Sequence, residues 1–205
     1  MGFYDKYILP SAINWACKQK PMSIQRQKVV PFAEGNVLEI GIGSGLNLPF
    51  YSKEKVKHLT AIEPSLETWK KNKVDIKNLP FSFEFEQAFA ENIPAENNSF
   101  DTVILTYTLC TIQDTFKSLE EIRRVLKPTG KLLFCEHGKA PDEAILKWQN
   151  RINPFWKMVG GGCNLNKDIP KLIEGNGFKF KKIDSMYIPG WKPASFNYWG
   201  VAEIR

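Results

Sequence analysis

A short apolar run, Asn36-Val-Leu-Glu-Ile-Gly41, passes without a break into Gly41-Ile-Gly-Ser-Gly45. The run is short enough for a strand, and three glycines separated by single residues allow a tight turn with no Cβ in the way. Further apolar runs follow at His58–Ile62, Ser82–Gln87, Phe100–Tyr107 and Gly130–Glu136. Between them lie segments with helical spacing, Leu66–Val74 and Thr115–Leu126. The second carries Phe116, Leu119, Ile122, Val125 and Leu126 at helical intervals. Asp114 is its expected N-cap, and Pro128 with Gly130 ends it. Strand, helix, strand in repetition predicts an α/β fold with a parallel sheet covered on both faces. Continuously apolar strands such as Thr102–Leu105 suit burial on both sides.

The last third changes rhythm. Ile169–Glu174 reads as a short helix stopped by Gly175 and Gly177. Two strand-like runs follow, Phe178–Tyr187 and Ser195–Ile204. As antiparallel neighbours closing one edge, they would complete a seven-stranded, mostly parallel sheet with one antiparallel edge strand. Residues 1–33 carry Phe3, Tyr4, Tyr7, Ile8, Leu9, Ile13 and Trp15 and read as one or two amphipathic helices. These could cover a pocket or lie on a surface.

Composition sets the outer bounds. The 205 residues are 43% hydrophobic with a net charge of +6, which excludes a disordered or fibrous chain and suits a single domain. No apolar run reaches the roughly 18 residues needed to span a bilayer. Asp5, Lys6 and Pro10 break any signal-peptide pattern, and Lys6 stands where a myristoylation signal wants Ser or Thr. The expectation is a soluble, cytoplasmic protein. Cys17, Cys110, Cys135 and Cys163 are widely separated and the only histidines are His58 and His137. No zinc-ligand cluster is visible in that spacing, so no metal and four reduced cysteines are expected.

The glycine loop carries most of the chemistry. It would lie at the carboxyl end of the first strand, where ligands bind in a doubly wound sheet. Leu46 occupies the position of the third glycine of a dinucleotide fingerprint, and no Gly-Lys-Ser/Thr follows, so neither a dinucleotide nor a P-loop site fits. Glu39 lies two residues before the first glycine, where a carboxylate repels pyrophosphate and attracts a cation. Glu63 ends the second strand, 18 residues after Gly45, as an acceptor for ribose hydroxyls would. A nucleoside bearing a positive group and no phosphate meets these demands, and S-adenosylmethionine is such a molecule.

With these motifs the chain resembles the class I S-adenosylmethionine-dependent methyltransferases. The resemblance runs from Val37 to Glu136 through Glu39–Gly45, Glu63, Ala88–Pro94, Ser99-Phe-Asp101 and Glu121–Gly130. Glu91-Asn-Ile-Pro94 and Arg124-Val-Leu-Lys-Pro-Thr-Gly130 look like the methyltransferase-11 and quinone C-methyltransferase branch. Thr108-Leu-Cys-Thr111, Glu136-His137 and Gly162-Cys-Asn-Leu165 are similar to the small thiol methyltransferases of animal membranes. The resemblance implies a three-layer Rossmann-like fold with a helical cap (1–33), a cofactor-binding core (34–137) and an acceptor-side segment (138–205). It also implies that Gly41, Gly43 and Gly45 pass beneath the cofactor and that Glu63 holds the ribose. Pro64, Ser65 and Ala90 would meet the adenine, and Thr106 the methionine part. Phe89 departs from the pattern, standing where many relatives carry an acid for the adenine amino group.

Methyl transfer from a sulfonium needs alignment and exclusion of water more than acid catalysis. The expected acceptor is a small, fairly apolar molecule, with a thiol first and a quinol ring carbon second. His137, just after the fifth strand, is the candidate base. Tyr107, Cys110 and Asn164 are candidates to line the pocket, and Asp101 is expected to be structural. Glu39 is expected to orient the loop. Gly160-Gly-Gly-Cys-Asn164 reads equally as a mobile lid or a plain turn. The lysines at 70, 71, 73 and 77 read as a solvated face, which disfavours nucleic acid, and residues 1–20 are candidates for weak contact with a membrane surface. The rival readings are a non-catalytic S-adenosylmethionine-binding module, an RNA methyltransferase and a nicotinamide-dependent oxidoreductase.

Overall fold

The computed structural model describes residues 8–205. Two helices, α1 (Leu9–Cys17) and α2 (Lys20–Gln27), precede the first strand. Strands β1 (Gly35–Ile40), β2 (Val56–Ile62), β3 (Ser82–Glu86), β4 (Phe100–Thr106) and β5 (Leu126–His137) then alternate with α3 (Leu66–Trp69) and α4 (Thr115–Val125). The chain ends with α5 (Glu143–Val159), α6 (Ile169–Gly175), β6 (Phe178–Tyr187), α7 (Lys192–Ser195) and β7 (Phe196–Ile204). The aromatic residues at 3, 4 and 7 lie outside the described residues, as does the first part of the membrane-surface segment. No helix among the described residues is long and apolar enough to cross a membrane.

The sheet order is β3-β2-β1-β4-β5-β7-β6. The first five strands pair in parallel, as the alternation predicts. β7 runs antiparallel to both of its neighbours. The one antiparallel strand therefore sits one place in from the edge, and β6 forms the edge itself. Side chains of the central strands alternate between two buried layers. Leu38, Ile40, Val103, Leu105, Leu132 and Phe134 face one, and Val37, Ile104, Leu133 and Cys135 face the other. Burial on both faces is what their unbroken apolar character requires.

Three elements differ from the sequence reading. The helix expected over 66–74 stops at Trp69, because Asn72 turns the backbone: its Oδ1 accepts from Val74 N at 3.0 Å and its Nδ2 donates to Val74 O. Trp69 is instead drawn down onto the sheet, stacked on Phe85 at 4.7 Å between centroids. Helix α4 ends at Val125, and Leu126 already pairs with Phe100 in β5. Pro128 and Gly130 fall in a register shift of that strand rather than in a separate turn. The long α5 has no counterpart in the sequence reading. Pro154 inside it removes an intrahelical donor, yet the helix continues through it.

Candidate active site

The glycine loop is hung from the end of β2: Gly41 N and Ile42 N both donate to Ile62 O. Gly41 has φ of +71°, and a Cβ there would lie 2.4 Å from the Thr108 side chain, so the loop is packed directly against the chain leaving β4. At Gly43 a Cβ would find nothing among the described residues nearer than 3.9 Å, which leaves that side of the loop open to them. Glu63 faces this opening. Its carboxylate accepts from Gly43 N at 3.1 Å and from Ser65 N at 3.0 Å. Two amides fix the group while each oxygen keeps acceptor capacity for a further donor. Burial raises its pKa, and the two amides oppose that shift. Ser65 goes on to cap α3 by accepting from Thr68 N.

Glu39 lies 1% exposed in the strand before the loop. It accepts from Asn47 Nδ2 at 2.8 Å and from Tyr51 Oη at 2.7 Å. Asn47 Nδ2 also donates to Thr106 Oγ1 at 2.9 Å, so Glu39 acts on the floor of the site through Asn47. Burial pushes the Glu39 carboxyl up to about 7. Asn47 Oδ1 is buried with no hydrogen-bond partner among the described residues. The site thus offers a fixed carboxylate for vicinal hydroxyls, an open glycine edge, and a free acceptor beside a second carboxyl for a cationic group. These are the contacts that S-adenosylmethionine requires, and the residues fit it.

The strip that would meet the adenine is less furnished. Ala90 is buried, whereas Phe89 is 65% exposed and points away from the core. Gln87 Nε2 donates to Pro64 O at 2.9 Å and ties this strip to the turn after β2.

The ends of β4 and β5 form the other half. Tyr107 takes φ of +56°, unusual for a non-glycine residue, and its hydroxyl donates to Asn197 Oδ1 at 2.7 Å. Glu136, fully buried, accepts from Thr108 N at 2.8 Å and Leu109 N at 3.0 Å and pins the turn after β4. Burial raises its carboxyl to about 7. Asn164 clasps the same turn, donating from its backbone N and from Nδ2 to Cys110 O. It is a fastener of that turn, not a free pocket group. His137 Nε2 lies 3.2 Å from Cys163 Sγ. The Cys110 sulfur joins them, and the three ligand atoms all lie within 4.8 Å of one another. Hydrogen bonding from Cys110 and the nearby imidazole pull the Cys163 thiol far below its usual range, whereas its bond to Cys163 and burial push Cys110 up. Burial alone would depress His137, but the Cys163 sulfur outweighs it and raises the imidazole.

The absence of clustered ligands, read from the spacing of the cysteines, is therefore corrected. Residues 110, 137 and 163 are far apart in sequence, and the carboxyl ends of β4 and β5 and the turn after α5 bring them onto one point. All four cysteines are free, as expected. Asp101 sits at the opposite end of β4, accepting from Asn36 N at 2.8 Å and Lys127 Nζ at 2.7 Å, which is a structural role. The 160–162 turn touches α1: a Cβ on Gly161 would lie 2.8 Å from Leu9 Cδ2. Asn14 of α1 accepts from Ser44 Oγ at 2.6 Å, so α1 spans from the glycine loop to that turn. Asn47 carries no local signal of its own. Glu136 and Cys163 stood in motifs of the resemblance, but neither was read as a site residue, because their partners lie far away in sequence.

Residues 38–134 match the protein family described as Methyltransferase domain. The thiol S-methyltransferase TMT1B of Rattus norvegicus is 33% identical over 170 residues, covering 80% of this chain and 66% of that protein, so the chain spans just under two-thirds of this relative. The Homo sapiens thiol S-methyltransferase TMT1B is 32% identical over 178 residues, covering 83% of this chain and 72% of that protein. The ubiquinone/menaquinone biosynthesis C-methyltransferase UbiE of Rickettsia prowazekii is 32% identical over 155 residues, covering 72% and 58%. Among solved structures, a SAM-dependent methyltransferase from Methanosarcina mazei has a TM-score of 0.66 at 16% identity, covering 84% of this chain and 93% of that one; this likeness is one of fold.

Proposed function

The chain belongs to the S-adenosylmethionine-dependent methyltransferases, and on that premise we propose that it methylates the sulfur of a small, fairly apolar thiol. The observation that carries the choice of a thiol is the similarity to thiol S-methyltransferases over four-fifths of the chain. When bound, S-adenosylmethionine supplies an electrophilic methyl on a sulfonium whose departing thioether is neutral and needs no acid.

The work left to the protein is positioning. In this reading Glu63 receives the ribose hydroxyls and Gly43 lets the backbone approach them. Gly41 and Gly45 shape the remainder of the loop, while Asn47 and Thr106, held by Glu39, receive the methionine end. Pro64 and Ala90 border the adenine. The turn after β4 and the 160–163 segment frame the acceptor, with His137 and Cys163 beside it. Helix α1, resting on both halves through Ser44 and Gly161, closes the site against water. The reactive form of a thiol acceptor is the thiolate, so a site that favours that form gains directly in rate.

A second reading, a quinol ring C-methyltransferase, is favoured by the 32% identity to the Rickettsia prowazekii enzyme. One experiment separates the two. The purified chain is incubated with S-adenosylmethionine and, in parallel, with a small alkyl thiol or a short-chain quinol, and the products are identified by mass spectrometry. A methyl thioether is the expected product. A ring-methylated quinol with no thioether overturns the thiol reading. Failure to bind S-adenosylhomocysteine in a calorimetric titration overturns both.

A further inference from the structure

We propose that Cys110, His137 and Cys163 bind a zinc ion through two thiolates and one imidazole, leaving a fourth position open on the acceptor side. The metal site stands on the cluster itself; its use by a thiol acceptor rests on the thiol S-methyltransferase reading.

The geometry is close to what the ion needs. Tetrahedral zinc with Zn–S of about 2.3 Å and Zn–N of about 2.0–2.1 Å spaces its ligand atoms about 3.5–3.8 Å apart. Here His137 Nε2 and Cys163 Sγ are 3.2 Å apart and no pair in the cluster exceeds 4.8 Å. Small side-chain rotations therefore admit the ion. Each ligand is also held from its own element. Cys110 is fixed by the two bonds from Asn164 to its carbonyl, and Asn164 directly follows Cys163. His137 ends β5, directly after Glu136, whose carboxylate anchors the same turn that carries Cys110. Lys167 Nζ ties that turn again, donating to Leu109 O at 2.9 Å and Ile112 O at 2.7 Å. Such supports are what make a ligand set stiff enough to bind metal tightly.

The chemistry selects the ion. Two soft thiolates with an imidazole suit zinc, whereas magnesium and calcium want oxygen ligands. A dication with two thiolates is neutral as a unit, which suits a buried place between Lys167 and Glu136. Three protein ligands and one open position make a site of the catalytic kind, not a closed structural one. Cys163 is the most exposed of the three, so the open side lies toward the 160–162 turn and α1.

An acceptor thiol entering the fourth position gives its proton to solvent and is held as a thiolate. Its sulfur lone pair forms the new S–CH3 bond as the carbon–sulfonium bond breaks. The pair from that bond returns to the departing sulfur as a neutral thioether, and no oxidant or reductant takes part.

The test uses the full chain, purified under reducing conditions. Metal content is measured by plasma mass spectrometry, and cobalt(II) is titrated alone as the optical probe. One zinc per chain is expected, with cobalt giving a tetrahedral visible spectrum and a thiolate charge-transfer band. Cys163→Ser and Cys110→Ser should each weaken cobalt binding by at least about tenfold and lower that band by about half, whereas Cys135→Ala should leave both unchanged. Calorimetry with S-adenosylhomocysteine on the same samples reports whether the cofactor half is intact. Cofactor binding with no cobalt spectrum overturns the metal site. An added alkyl thiol should perturb the cobalt spectrum. Thioether production with no such perturbation overturns the open-position role, while a perturbed spectrum with no thioether leaves the metal site standing and removes the thiol reading.

Discussion

The two halves of the site are built in different ways. The cofactor half, from β1 to the end of β2, is made by backbone: three glycines, two amides on Glu63 and a carbonyl at the end of β2 receiving two loop N–H groups, all within a stretch of 27 residues from Glu39 to Ser65. The acceptor half is made by side chains from distant segments. Asn164 fastens Cys110, Glu136 fastens the turn after β4, and Gln149 of α5 fastens two loops and α7 at once. A backbone site tolerates change in its surroundings but not in its glycines. A side-chain site is the reverse: variable in its lining and vulnerable at its fasteners, which is how one fold takes many acceptors.

The largest expected effect breaks the backbone half. Gly41→Ala places a Cβ at positive φ and 2.4 Å from Thr108, so we expect a loss of at least about 3 kcal/mol in unfolding free energy by urea denaturation. Gly43→Ala, with open space beside it, should cost only about 1 kcal/mol in the same experiment. Equal losses at the two positions would mean that the loop is not packed as described. Next in size is Gln149→Leu. The buried Gln149 amide accepts from Ala140 N at 2.9 Å and donates to Gly138 O, Leu165 O and Pro193 O. Losing these bonds should cost about 3 kcal/mol and raise the acceptor KM, while S-adenosylhomocysteine affinity holds. A parallel fall in cofactor affinity would show that the halves are one unit. Glu63→Ala should do the opposite, weakening S-adenosylhomocysteine binding by about 1.5–3 kcal/mol in calorimetry with little change in stability. Unchanged affinity removes Glu63 from the ribose.

The same contrast governs what could be read from the sequence. The first five strands, the glycine turn and the position of Glu63 are consequences of local spacing, and each stood in the sequence as a run of adjacent residues, whereas the order of the strands in the sheet did not. Asp114 as N-cap is equally local, and its carboxylate accepts from Lys117 N at 2.9 Å. What was not legible depends on contacts across the chain. His137 and Cys163 meet only because the chain returns to β5 after α5, a helix with no counterpart in the sequence reading. Glu39 was expected to orient the loop, but through which groups was hidden, because its partners, Asn47 and Tyr51, lie 8 and 12 residues further on. A carboxylate two residues before a glycine loop gives no sign in one dimension of being enclosed by a tyrosine and an amide.

That enclosure supplies the sharpest test. Burial holds the folded Glu39 carboxyl at about 7, above the ordinary carboxylate value of 4.5. A group whose folded pKa is raised favours the folded state while it is protonated, so its contribution is present below about pH 4.5 and is lost as pH rises through about 7. Glutamine at this position fits the same two partners. Its carbonyl can accept from Asn47 Nδ2, and its amide can donate to a Tyr51 hydroxyl that has turned to act as acceptor. Glu39→Gln should therefore match the wild type near pH 4 and become the more stable protein by about 3 kcal/mol near pH 8, read as the difference between their urea midpoints multiplied by m. Parallel pH profiles for the two proteins would mean that Glu39 is already ionised near neutrality. The carboxylate would then be a charged floor beneath the loop and Asn47 its counter-dipole, and the backbone half would depend on a buried side chain as heavily as the acceptor half depends on Gln149.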